Sequence, residues 1–319
     1  MNLSDYKYTN FPFRDKLAAK EFKKLLRPGG ATFWTVIGVG ASAIAGSIAA
    51  IVIEHKNRIC EHPYELPEKI HSIEIGNGIE VNISFNEETC ILIKGKKKDL
   101  KCLSIDTKGG CLRMHLVPAK KMRTSNIIKV SMSLPSLDAI ALSGNSVVTF
   151  DGINKTKSFT LKQCNGRLSD LTLESEQAIL ILTGNFTSDI AVTKGDINAE
   201  IIGNGEANIT LSSQQSSIRL GSEAKCIISG HIEDLLCHMA GESQLDASEL
   251  TTTQSSFKMN DLSAAQLYKT EKITVSLTDK ARLVVNNAVR KQGKVEIYDS
   301  AELVYDSADK NSSSDISKS

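Results

Sequence analysis

The sequence predicts an all-β chain, wound as a parallel, right-handed β-solenoid of short coils and preceded by one transmembrane helix. Three observations carry this. A short phrase of apolar residues around a Gly or Asp returns at near-constant spacing; the apolar residues within it alternate with a period of two; and one uncharged stretch upstream is long enough to cross a bilayer.

The recurring turn residue falls at Gly144, Gly166, Gly184, Gly203, Gly221, Gly241, Asp261, Asp279 and Asp299, at intervals of 22, 18, 19, 18, 20, 20, 18 and 20 residues. That is too regular for an ordinary sandwich and too short for a helix pair per repeat. Ile140 and Leu142 precede one turn, and Val148 and Phe150 follow it; Ile273, Val275 and Leu277 precede another, and Leu283 and Val285 follow. Period-two alternation describes strands with one face inward. A single unit of this size cannot bury enough apolar surface to offset the entropy of ordering it, so neighbours must stack. Stacked coils place like side chains in columns about 4.8 Å apart. Parallel crossovers favour the right-handed coil. Gly, Asn and Asp suit a corner that needs positive φ at every level, and a Ser or Ala two residues later, as at Ser146, Ser243, Ser263, Ala281 and Ala301, suits a crowded corner. An antiparallel sandwich is the structural alternative.

The segment Leu134-Pro-Ser-Leu-Asp-Ala-Ile-Ala-Leu-Ser-Gly-Asn-Ser-Val-Val-Thr-Phe-Asp-Gly152 resembles the central signature of the head GIN domain family, bacterial envelope proteins described as auto-transporter adhesins. Ile79-Glu-Val-Asn-Ile83 and Leu112-Arg-Met-His-Leu116 are similar to that family's upstream strands, and the resemblance covers roughly residues 70–306. It implies a β-helical fold on the export side and, for function, adhesion. The Ser-Gly-x-Gly turns of the family are kept at Ser143-Gly-Asn-Ser146 and Gly203-Asn-Gly205 and are replaced by Asp at the last three corners.

Taken in order, residues 1–30 form a basic arm with seven Lys or Arg against three acids. Residues 31–53 hold no charge over 23 positions, with Phe33 and Trp34 where an interfacial aromatic belt would lie. The positive excess before this span predicts a cytoplasmic N-terminus, a bacterial inner-membrane anchor and a periplasmic β domain. Gly38, Ser42, Gly46 and Ala50 share one helix face, a spacing that would let two helices pack closely as a homodimer, or that reflects only the small residues frequent in bacterial spans. Residues 54–69, with Pro63 and Pro67, read as a stiff spacer. Residues 70–134 read as irregular opening coils or a cap, and residues 135–306 as the regular repeats of the same solenoid. Five Lys among residues 94–101 read as a solvated hairpin or loop. Residues 307–319 are too polar to bury themselves and read as disordered.

The composition bounds the chemistry. With 41% hydrophobic but 5% aromatic residues the core must be aliphatic, and a net charge of +1 without basic patches interleaved with aromatics gives no nucleic-acid partner. Seven Cys leave at least one outside any intramolecular bridge, and a bridge among Cys90, Cys102 and Cys111 is open. Cys226, His231, Cys237 and His238 match no zinc spacing, so neither a metal nor another cofactor is expected. Asp261, Asp279 and Asp299 are the candidate site: stacked on successive coils, their carboxylates would form a column suited to a cation or a glycan, or serve only as turn formers. No nucleophile elbow or phosphate loop is present. These readings predict a non-enzymatic, adhesin-like protein with an envelope protein or glycan as partner. A carbohydrate-active β-helix enzyme and a transmembrane sensor are the alternatives.

Overall fold

A computed structural model describes residues 59–65, 69–117, 128–286 and 291–305. The basic arm, the uncharged stretch with Gly38, Ser42, Gly46 and Ala50, and residues 307–319 lie outside the described residues. Among the described residues no helix is long and apolar enough to cross a membrane.

The described residues are almost entirely strand, and these strands pair mostly in parallel. The repeats begin with β8 (Ala139–Ser143), β9 (Val147–Asp151) and β10 (Ile153–Lys155) and continue through β11 (Ser158–Gly203), β12 (Glu206–Ser222), β13 (Lys225–Met239), β14 (Gln244–Met259), β15 (Ala264–Leu277), β16 (Arg282–Val285), β17 (Lys291–Ile297) and β18 (Glu302–Tyr305). Together they wind a parallel β-solenoid of about eight turns. The middle strands are long because they pass the second corner of each turn without a break, and β11 alone covers more than two turns.

Register makes the core a set of columns. Ala199 pairs with Ile218, Ile218 with Cys237, Cys237 with Phe257 and Phe257 with Val275; Ile201, Leu220, Met239, Met259 and Leu277 run beside them. All ten are buried. On the opposite side of each turn Ala207, Cys226, Leu245, Ala265 and Leu283 form the facing column. Because each strand pairs with strands above and below, the backbone groups of the middle turns are satisfied along the stack, and the inward side chains fill one continuous apolar interior. Among the buried polar side chains is Gln163, which donates through Nε2 to Gly166 O at 3.0 Å and accepts from Ser188 Oγ at 2.7 Å, bracing the corner between two turns.

The first corner of each turn is the ridge that the sequence marks, with two corrections. Left-handed backbone occurs at Gly144, Gly166, Gly184, Gly203, Gly241, Asp261, Asp279 and Asp299, and also at Asn165 and Ser222. Asn165 directly precedes Gly166, which is left-handed too, while Ser222 follows Gly221, which is not; it is Asn165 and Ser222 that align with the other corners. The physical reason is the alternation. The corner residue stands two positions after the last inward side chain, which is Gln163 in one turn and Leu220 in the other. With these two in place the intervals become 21, 19, 19, 19, 19, 20, 18 and 20. Gly184, Gly203 and Ser222 lie one above another: Asn204 N–H donates to Gly184 O at 2.9 Å and Glu223 N–H to Gly203 O at 3.1 Å. The small residues two positions on, Ser146, Ala224, Ser243, Ser263 and Ala281, are buried in the corner. Gly205 occupies the same place where the Phe186 ring fills the space, 2.3 Å from where a β-carbon would stand.

Residues 70–134 join the stack out of sequence order. β2 (Ser72–Ile75) and β3 (Ile79–Phe85) pair in parallel with β8 and β9 on one side, and with β6 (Cys111–Leu116) and β7 (Ile128–Leu134) on the other. The coil met first in the sequence is therefore the inner one, and the later coil lies outside it. Outside that again, β5 (Leu103–Lys108) runs antiparallel to β6, β4 (Cys90–Lys96) antiparallel to β7, and β1 (Ile59–Pro63) antiparallel to β4. These antiparallel strands cover the end of the solenoid, so Leu112, Met114, Ile128 and Val130 of the outer coil are buried. The Lys-rich stretch is not a hairpin loop. Lys94 and Lys96 close β4, a single turn of helix α1 (Lys97–Leu100) follows, and Lys94 Nζ meets Glu61 at 2.6 Å.

Candidate functional site

The candidate Asp residues do come together, and what they face is backbone. Asp261 Oδ2 accepts from Gly241 N–H at 2.9 Å, Asp279 Oδ2 from Asp261 N–H at 3.2 Å, and Asp299 Oδ2 from Asp279 N–H at 3.3 Å. Each carboxylate thus satisfies the corner amide of the preceding turn. Asn77 and Asn165 reach the other way, their Oδ1 atoms accepting from the amides of Asn145 and Asn185 in the neighbouring later turn, both at 2.8 Å. The column is a side-chain ladder that replaces the hydrogen bonds a tight corner cannot make within itself. Asp279 carries two demands, an acceptor and φ of 61°. Asp279→Asn should therefore melt within about 0.5 kcal/mol of wild type, Asp279→Gly should lose about 1 kcal/mol, and Asp279→Ala about 2 kcal/mol because it adds left-handed strain to the lost acceptor. Thermal unfolding of the series checks this, and an Ala variant as stable as the Asn variant would refute it.

A concave surface lies at the second corner, on the strand run that follows it, and the sequence reading did not single it out. It is a groove of about 610 Å³. One wall is the outward column Gln177, Asp196, Gln215, Asp234, Gln254 and Lys272, in which Gln215 pairs with Asp234, Asp234 with Gln254, and Gln254 with Lys272. The second column, two residues on, is Ile179, Asn198, Ser217, Leu236, Ser256 and Thr274. Between them only small or inward residues lie at the floor. Within the first column Asp196 Oδ1 accepts from Gln215 N–H at 2.9 Å, and Lys272 Nζ reaches Gln254 Oε1 at 3.4 Å. The remaining amide and carboxylate groups face solvent, and Ile179 and Leu236 add two exposed aliphatic patches. A signal existed in the sequence. A Gln or Asp recurs immediately before the first inward residue of each turn, at intervals of 19, 19, 19 and 20 from 177 to 254.

None of the seven cysteines is joined in a disulfide. Cys226 and Cys237 point into the core, and burial pushes both thiols up, Cys237 to about 12 and Cys226 further with the help of Cys237 beside it. A neutral buried thiol is neither nucleophile nor ligand. His231 lies on the outer surface with Nδ1 3.1 Å from Thr251 Oγ1, and His238 alternates to the face opposite Cys237. Among the described residues no three His, Cys, Asp or Glu side chains converge to hold a metal ion.

A ladder-braced stack with a filled interior and one long polar groove defines a class: a rigid repeat scaffold that presents a periodic surface. The chain belongs to the head GIN domain family, described as "putative auto-transporter adhesin", whose sequence profile matches residues 70–288. Among solved structures it is similar to an adhesin so described from Parabacteroides distasonis, with TM-score 0.53 and 13% identity over 76% of this chain and 98% of that one. It is similar also to one from Parabacteroides merdae, with TM-score 0.51 and 15% identity over 78% and 96%. A protein from P. distasonis described as lipid binding gives TM-score 0.52 and 11% identity over 78% and 96%. At these identities the likeness is one of fold. Among curated proteins none matches the chain.

Proposed function

We propose that this chain is a membrane-anchored, non-enzymatic binding protein of the bacterial envelope that holds its solenoid on the periplasmic side. Its ligand is an extended polymer rich in hydroxyl and amide groups, of which an envelope glycan is the fitting class. The observation that carries the reading is the groove. Six consecutive turns repeat the same two outward columns, one of them alternating amide and carboxylate over five turns before ending in Lys272, at the spacing of the strands. A polymer laid along the axis meets a donor or acceptor at each step. Ile179 and Leu236 offer apolar contact to the faces of its rings. An acyl chain fits poorly, because Asp196 and Asp234 would lose water without gaining partners. Anchoring is supported by the uncharged run 31–53 behind a basic arm, and an envelope location by the family.

The test uses the full chain in detergent, immobilised and exposed to solubilised peptidoglycan and surface-polysaccharide fragments. The wild type should retain one of these classes. Joint replacement Gln215→Ala and Asp234→Ala should weaken retention about tenfold, the loss of two modest hydrogen bonds, with no change in melting. Recovered fragments should keep their length. No retention by the wild type, equal retention by the variant, or shortened fragments would each overturn the reading.

A further inference from the structure

The two ends of the solenoid are finished differently. At one end β1, β4 and β5 turn antiparallel and bury the outer coil. At the other, β17 pairs with β15 and β18 with β16, and among the described residues no strand pairs with their far sides. The last turn keeps the inward pattern of the turns before it: Val295 stacks on Val275, Ile297 on Leu277, Leu303 on Leu283 and Tyr305 on Val285. Val275, Leu277 and Val285 are 1%, 0% and 0% exposed, whereas Val295, Ile297 and Tyr305 are 37%, 43% and 40% exposed. Val295 and Ile297 are core positions with nothing described on top of them. Residues 306–319 are poor material for a cover, since their only large apolar side chain is Ile316.

We propose that this end of the solenoid docks against the same end of a second copy, β17 beside β17 in antiparallel register about a two-fold axis through Val295. The charge pattern of the strand is self-complementary about that point. Lys294 and Glu296 flank Val295 on the outward face and form an ion pair within the chain. Turning the strand over sets Lys294 of each copy opposite Glu296 of the other, an arrangement that cross-strand pairs favour. The same axis brings the two half-open rungs together, so that Val295, Ile297, Leu303 and Tyr305 of both copies close one apolar interior and the free edges gain hydrogen-bond partners. Assembly stops at two. The opposite end is sealed by antiparallel strands, and β1 there carries Pro63, so no head-to-tail stacking into fibres follows.

Sedimentation of the full chain in detergent over a range of concentrations tests this, with three proteins: the wild type, Lys294→Glu and Glu296→Lys. The wild type should dimerise. Each charge reversal, which sets like charges opposite each other twice, should weaken the dimer about tenfold or more. An equimolar mixture of the two variants should recover wild-type affinity as a heterodimer, which a merely misfolded variant would not do. A wild type that stays monomeric overturns the proposal. So does a dimer that survives both reversals but is lost with Gly46→Leu, which would assign association to the uncharged N-terminal stretch. Reversals that weaken the dimer without recovery on mixing overturn it as well. Removing residues 306–319 should leave the dimer intact; tighter association after truncation would show that the tail occupies the edge.

Discussion

Gly195→Ala is expected to cost on the order of 4 kcal/mol or more and to lower the thermal midpoint by roughly 10 °C, one of the largest effects a single methyl group can have in this protein. Gly195 lies at a second corner with φ of 112°, a region open to Gly but costly for any residue with a β-carbon. A β-carbon built there would stand 1.6 Å from Ser175 O, and that oxygen belongs to the backbone of the turn beneath. The clash cannot be relieved by a rotamer. Two stacked turns must part, and the pairing on either side parts with them. Gly109 is the control. It is also left-handed, with φ of 59°, but nothing lies within 4 Å of a β-carbon there. Gly109→Ala should cost only about 1 kcal/mol, the strain alone. Far-UV circular dichroism melts of the two variants separate strain from stacking, and equal midpoints would refute the assignment.

Asn154→Leu should cost about 2–5 kcal/mol although it makes the core more apolar. The Asn154 amide is fully buried and binds one residue twice: Oδ1 accepts from Leu137 N–H at 2.9 Å, and Nδ2 donates to Leu137 O at 2.8 Å. Leu137 lies where the chain passes from β7 into β8, off the strand ladders, so its backbone groups are satisfied by that side chain. Leucine leaves a donor and an acceptor buried and unpaired, each at about 1–3 kcal/mol. Asn185→Leu removes an exposed amide of the same type and should change stability by less than about 0.5 kcal/mol. Urea titrations at unchanged slope measure both.

Both sites show what the sequence could and could not reveal. The strands of the repeats were legible because inward and outward residues differ in chemistry at every other position, and the first corner because only Gly, Asn, Asp and one Ser take its left-handed backbone. Even there the conspicuous Gly166 and Gly221 drew attention from Asn165 and Ser222, which the alternation places at the corner. At the second corner Gly195 has no glycine level with it, and Gly230 stacks instead between Leu211 and Leu250, so no residue type marks it. The groove beside that corner was missed for the same reason. It is made by ordinary Gln and Asp whose significance lies in stacking. The Asp column was found, but only coordinates could reveal that its carboxylates face the amides of the turn before. Residues 70–134 read as strands without a visible order, since alternation reports which face a residue takes and says nothing of which strand lies beside it. Ser72 has Cys111 on one side and Ala139 on the other, partners chosen by tertiary stacking alone.

That interleaving bears on how the molecule is made. A ribosome delivers β2 and β3 before β6 and β7, and all four before residue 139, so a four-strand seed with its outer edge already closed can exist while the repeats are still being synthesised. Growth continues on the side presented by β2 and β3, where β8 and β9 pair in parallel. Each later turn then arrives next to a ready template some nineteen or twenty residues behind it, and growth proceeds in one direction with short loops to close. The chain need never search among equivalent registers, because the place where counting starts has been decided before the first repeat emerges.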